Sequence, residues 1–207
     1  MNTTHLPRLL AQGVTALFHP LTMVGWIVVM VMFSLASPLA YPAPVRWFVL
    51  GTVVLMTIGV PLLFWWLVRL FGARGEGQTM ERRTSIMMLV LVAICYTCCG
   101  WVFDDIVVLY LVRKILYTST AVVALLLLCE LFYPLDYHTT AFGALLGMMW
   151  MLLIVGNVGL LAPFIAGIVA VGAVATSRLY LTDCRVGSVV WGALLGFALS
   201  AVILIFI

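Results

Sequence analysis

Seven apolar runs follow one another along the chain: Leu21–Ser37, Trp47–Leu70, Ser85–Phe103, Ile115–Tyr133, Thr139–Val155, Val158–Ala175 and Gly187–Ile207. Each has the length, about 17 to 25 residues, that a helix needs to cross the hydrocarbon core of a bilayer. That repetition constrains the fold more than any single motif. A water-soluble domain keeps about a quarter of its residues charged, whereas this chain is 8% charged and 66% hydrophobic, so most of its surface must face lipid. In lipid every spanning backbone amide has to be satisfied inside its own segment, and runs this long and rich in Leu, Met and Ala are not porin strands. The expected fold is all-α: one integral membrane domain over residues 1–207, a helix bundle of seven spans, or six if one run does not cross. The "GNVG" turn at Gly156–Gly159 separates two runs that together are too long for one crossing. The first run reads as a retained span rather than a cleaved leader, because a long polar segment precedes it.

Orientation follows from Lys and Arg. With seven spans and the N-terminus inside, Arg8, Arg69, Arg74, Arg82, Arg83, Arg178 and Arg185 fall on the cytoplasmic side, and Arg46, Arg113 and Lys114 fall outside. That pattern suits a bacterial inner membrane, N-in and C-out. Asp104 and Asp105, ahead of Arg113–Lys114, mark a candidate short helix along the outer interface. Three polar segments, "GARGEGQTMERRT", "PLDYH" and "SRLYLTDCR", then converge on the inner face, as a site for a phosphate headgroup requires. No basic run points to nucleic acid. Cys95, Cys98, Cys99 and Cys129 lie in apolar runs with no histidine near them, so no metal and no cofactor are expected; these cysteines read as small apolar side chains.

The pentad "GALLG" occurs twice, at Gly143–Gly147 and Gly192–Gly196. G-x-x-x-G lets membrane helices approach closely, and the topology makes the fifth and seventh runs parallel, so the two glycine faces can pack. His138 lies five residues before Gly143 and Cys184 eight before Gly192, about 7.5 and 12 Å along continuous helices. Level glycines would bring both side chains to one pocket. Asp183 or Thr182 is a candidate N-cap for the last helix, whose first N–H groups would face an anion.

Three stretches carry a family resemblance: "FHPLTMVGW" (Phe18–Trp26), "LDYHTTAFGALLG" around His138, and "TSRLYLTDCRVGSVVWGALLG" (Thr176–Gly196). In them the chain resembles the phosphatidic acid phosphatase type 2 superfamily, close to bacterial members that open with a His-Pro-Leu segment. The family motifs read K-x-x-x-x-x-x-R-P, P-S-G-H and S-R-x-x-x-x-x-H-x-x-x-D. There the third-motif histidine attacks phosphorus, the second-motif histidine is the acid, and the arginines and lysine hold phosphate oxygens. Carried over by position, Ser177 and Arg178 open the third motif, but its nucleophile position holds Cys184 and its aspartate position Ser188. The second motif keeps His138 without Pro-Ser-Gly. For the first, Arg82 and Arg83 stand on the expected side and Lys114 on the other.

Each residue also has a plainer reading. Arg178 is a phosphate fork or an interfacial arginine. His138 is a proton donor or a helix cap, with Asp136 orienting it or capping in its place. Cys184 is a thiolate lowered by Arg178, Arg185 and a helix start, a remnant, or an interfacial residue. Glu130, near the end of its span, is a functional ionisable group or a snorkelling one. His19 serves the entry turn of the first helix, and Trp65–Trp66 an interfacial belt. What the resemblance implies is a lipid-phosphatase scaffold with an eroded site, holding a phospholipid or isoprenoid phosphate or serving as a subunit of a membrane protein complex. Two alternatives stand beside it: an active lipid phosphatase using Cys184 or water with His138 as acid, and a small transporter or channel.

Overall fold

The structure, a computed structural model, describes residues 13, 15, 18–33, 41–71, 78–132, 135–156, 158–181 and 185–206. Among them there is no strand. The helices are α1 (Pro20–Phe33), α2 (Ala43–Val54), α3 (Val60–Phe71), α4 (Gln78–Val102), α5 (Tyr110–Phe132), α6 (Tyr137–Ile154), α7 (Leu161–Leu181) and α8 (Val186–Phe206). The π-turn Leu55–Gly59 joins α2 and α3 into one continuous span. Its cause is Pro61, which lacks an N–H and crowds the carbonyl four residues back; the Val60 N–H reaches back to Leu55 O, and the widened turn absorbs the conflict.

Among the described residues, six helices are long and apolar enough to cross a membrane. The first apolar run differs, since α1 has 14 residues, about 21 Å at 1.5 Å per residue, against a core about 30 Å thick. Two other boundaries move. The segment expected to lie as an interfacial helix is instead a turn at Phe103–Asp105 and a 3-10 turn, Val107–Leu109, and α5 already begins at Tyr110. Arg113 can enter its first turn because it donates to Asp104 Oδ1 at 2.7 Å and to Asp104 O at 3.0 Å. Arg113 and Lys114 also both lie over the Tyr110 ring. Likewise α7 runs through Ser177 and Arg178 to Leu181, where a turn was expected, because Arg178 is paired with a carboxylate as described below.

Four hydroxyls within the spans are satisfied by their own helices, since Thr52, Thr97, Ser119 and Thr176 each donate to the carbonyl four residues back; the Thr57 and Thr118 hydroxyls are buried with no partner among the described residues. The outer surface carries Trp47, Trp101, Val169 and Trp191, all exposed, as a lipid-facing surface does. Contacts gather at two ends of the bundle. At one, His19, Ser85, Asp136, Tyr137, His138 and Arg178 meet. At the other, Phe33 packs on Trp47 and under Arg46, and Tyr41 donates to Val108 O.

α6 is the central helix, and its packing on α8 is the most extensive in the bundle. The two run parallel in register. A Cβ built on Gly143 would collide with Ala193 O, one on Gly147 with Phe197 O and Ser200 Oγ, and one on Gly196 with Thr140 O. The absence of these side chains lets backbone meet backbone, which is what a small-residue pair supplies in a membrane. Gly51, by contrast, has nothing within 4 Å. Gly143→Leu or Gly196→Leu is expected to lower the stability of the detergent-solubilised protein by about 1–3 kcal/mol or more. Gly51→Ala should leave it unchanged or raise it by up to about 1 kcal/mol. Thermal unfolding checks both, and equal effects at the three positions would contradict the close α6–α8 contact.

Candidate functional site

The polar end of the bundle is organised by the two faces of the first turn of α6. Asp136 is its N-cap: Oδ2 accepts from the Thr139 N–H at 3.0 Å, as a carboxylate at a helix start does. Its carbonyl accepts from the Thr140 N–H at 3.0 Å and from the Thr139 and Thr140 hydroxyls at 3.1 and 2.9 Å. Asp136 Oδ1 accepts from Arg178 Nε and Nη2, both at 2.8 Å. The Asp136 side chain is 1% exposed and the Arg178 side chain 19%. Gly192 completes this face; a Cβ there would lie 2.7 Å from Thr140 Oγ1 and 3.3 Å from Asp136 O. The Asp136 carboxylate thus ties the start of α6 to the end of α7, and the Asp136 backbone carbonyl and the Thr140 hydroxyl lie against the first turns of α8.

The opposite face of α6 turns to α1. Phe18 packs edge-on against Phe142, ring centroids 5.2 Å apart, and His19 edge-on against His138 at 5.5 Å. His19 also starts α1: its Nδ1 accepts from the Leu21 N–H at 3.3 Å, and its carbonyl accepts from the Thr22 N–H and hydroxyl at 2.9 and 2.7 Å. Pro20, the first helical residue, has no N–H to satisfy. His19 is exposed at the surface but partly surrounded by protein, and that partial burial lowers its pKa from the usual value. His138 Nδ1 is buried and has no hydrogen-bond partner among the described residues.

Between α1, α4, α5 and α6 lies a cavity of about 320 Å³. Five polar residues, His19, Thr84, Ser85, Tyr137 and His138, line the end where α1, α4 and α6 begin, and the Ser85 hydroxyl donates to Tyr137 OH at 3.3 Å; deeper in, Ser119, whose hydroxyl is held by Ile115 O, and Tyr96 also line the cavity. Toward the middle of the bundle the lining becomes Met23, Ile27, Val92, Leu126, Leu145 and Met148. From Ser85 to Tyr96 along α4, and from His138 to Met148 along α6, the cavity extends about 15 Å. A polar mouth over a mostly apolar interior suits an amphiphile.

The residues singled out in the sequence divide between these places. His138 lines the cavity; it is not the helix cap, which is Asp136. Arg178 is bound to Asp136 rather than standing in an open turn. Ser177 is buried in α7, and Ser188 in the first turn of α8. Arg82 and Arg83 directly precede Thr84 and Ser85 in α4, and Glu130 lies near the end of α5; their side chains are outside the described residues. So are Thr182, Asp183 and Cys184, and it is Arg185 whose carbonyl accepts from the Ser188 and Val189 N–H groups at the start of α8. No group of three or more His, Cys, Asp or Glu suited to a metal ion occurs among the described residues. Sequence reasoning left His19 as a turn residue and passed over Tyr137, Thr84 and Ser85. The signal was the match of "FH" at 18–19 to His138 and Phe142, one helical turn apart. No family model, no curated protein and no solved structure matches this chain.

Two outcomes follow from this geometry. Asp136→Asn or Arg178→Met alone strips a buried charge of its partner, which costs about 3–5 kcal/mol for a fully buried pair. The low end is expected here because Arg178 keeps some exposure. The double variant should lose less than the sum of the two in a double-mutant cycle, and strict additivity would show that the pair is not coupled. For His19, a folded pKa below the unfolded value, about 6.5, means the unfolded chain takes up the proton first as pH falls. Its contribution to stability is therefore complete above pH 6.5 and lost as pH drops through the lowered pKa. His19→Asn, which keeps a side-chain oxygen at the cap, should flatten the dependence of melting temperature on pH between about 7 and 5. An unchanged slope would mean that His19 titrates alike in both states.

Proposed function

We propose that this chain is an integral membrane protein of a bacterial inner membrane that holds an isoprenoid phosphate or a phospholipid on a lipid-phosphatase-like scaffold, without hydrolysing it. The cavity carries this reading: five polar residues gather at its mouth, and a mostly apolar lining runs toward the middle of the bundle. Arg82 and Arg83, next to the mouth in sequence, supply cationic groups for a phosphate, and positive-inside counting supports a cytoplasmic site.

Several features support a holder over a hydrolase. The covalent route of the family it resembles needs a histidine nucleophile oriented by a carboxylate, and Cys184 and Ser188 stand at those positions. Arg178, the expected phosphate fork, has two of its nitrogens on Asp136, which neutralises its charge. The parallel course of α6 and α8 also speaks against an inverted-repeat transporter.

The test is a panel of alkyl, isoprenoid and diacyl phosphates presented to the purified protein in detergent, with phosphate release and binding both measured. Binding without release is expected, with affinity reduced at least tenfold by Ala141→Phe, which fills the channel from α6. Release abolished by Cys184→Ala and His138→Ala would make the protein a phosphatase and overturn the proposal. Neither binding nor release would leave a subunit of a membrane complex as the better reading.

A further inference from the structure

We infer that His19 is a second headgroup-binding residue, which together with His138 grips one oxyanion through paired imidazole N–H donors at the mouth of the cavity. The inference rests on the proposal that the cavity holds a lipid phosphate, and goes beyond it by assigning the recognition chemistry to a residue of the "FHPL" turn.

The argument starts from the backbone. Because His19 Nδ1 accepts the Leu21 N–H, the neutral ring must carry its proton on Nε2. The same hydrogen bond, with the two Thr22 bonds to the His19 carbonyl and the fixed φ of Pro20, holds the ring in place before any ligand arrives. A helix start needs only a small cap such as Ser, Asn or Asp. A histidine there brings a ring that reaches the cavity, and this one lines it and meets His138 edge-on at 84°. In His138 the buried nitrogen is Nδ1, which leaves Nε2 as the nitrogen through which that ring meets a ligand. With its proton on Nε2, as an oxyanion at the mouth favours, His138 joins His19 as a second N–H donor on rings 5.5 Å apart, and the two can donate to two oxygens of one tetrahedral or planar anion.

The surroundings favour an anion over a hydroxyl. Thr84, Ser85 and Tyr137 add hydroxyl groups at the same mouth. The fixed carboxylate nearby, Asp136, is neutralised by Arg178, so it does not repel an incoming negative charge. The chemistry shared by the possible ligands is a phosphate oxyanion, borne either on a single hydrocarbon chain or free in water.

The chain has three histidines, His5, His19 and His138. Imidazole nitrogen NMR of histidine-labelled full-length protein in detergent, with assignments from His19→Asn and His138→Asn, separates their responses. Dodecyl phosphate should move the His19 and His138 signals together, and dodecanol should move neither comparably. His19→Asn, whose side chain still caps α1, should weaken dodecyl phosphate binding about tenfold or more while lowering the melting temperature above pH 7 by no more than about 2–4 °C. Inorganic phosphate producing the same shifts at the same concentration would mean a free-anion site and overturn the lipid source. If His138 responds and His19 does not, the inference fails while the proposed function stands. If dodecyl phosphate moves neither and does not bind, the proposed function fails with it.

Discussion

The close approach of α6 and α8 is the constraint on which the rest of this structure depends. In a bilayer no hydrophobic force drives helices together, so contact must come from packing and polar satisfaction. Here the glycines at 143, 147, 192 and 196 let two backbones touch, and that contact fixes the rotation of α6. One face, with Asp136, Thr139, Thr140 and Gly143, is then committed to α7 and α8. The other, with Tyr137, His138, Ala141 and Leu145, is left to line the cavity. A helix rotated by a quarter turn would bury the histidine and open the ion pair.

Asp136 makes that arrangement specific at the membrane edge. It caps α6, accepts two nitrogens of Arg178 and offers its carbonyl to two threonine hydroxyls. An arginine that carries a phosphate-binding expectation thereby serves as a strut, holding α7 against α6. The polar chemistry left for a ligand moves across the helix to His138, the hydroxyls and the "FHPL" turn. The same two histidines and two phenylalanines also anchor the start of α1, a helix too short to be fixed by span length alone.

The all-helical membrane class was legible because apolar length and backbone satisfaction leave no other solution, and "GALLG" twice over pointed to a close helix pair. Helix ends were less legible. Hydropathy discounts Arg113, Lys114 and Arg178, yet each sits inside a helix, because Asp104, Tyr110 and Asp136 satisfy them across distances that a linear reading does not weigh. The cavity left no trace in the sequence either: its walls come from four helices, and its residues, such as Met23, Val92, Leu126 and Met148, look like any other apolar span residues. His19 was visible only as a turn former, since its partner is more than a hundred residues away.

The most direct measurement is native mass spectrometry of the protein extracted from its own membrane in mild detergent, with the released lipid identified by fragmentation. The account predicts one retained lipid per chain, phosphate-bearing and intact, with a chain that fits a channel about 15 Å long, and its loss from Ala141→Phe. A protein that carries no lipid, or one that retains only neutral lipids indifferent to that substitution, would contradict it.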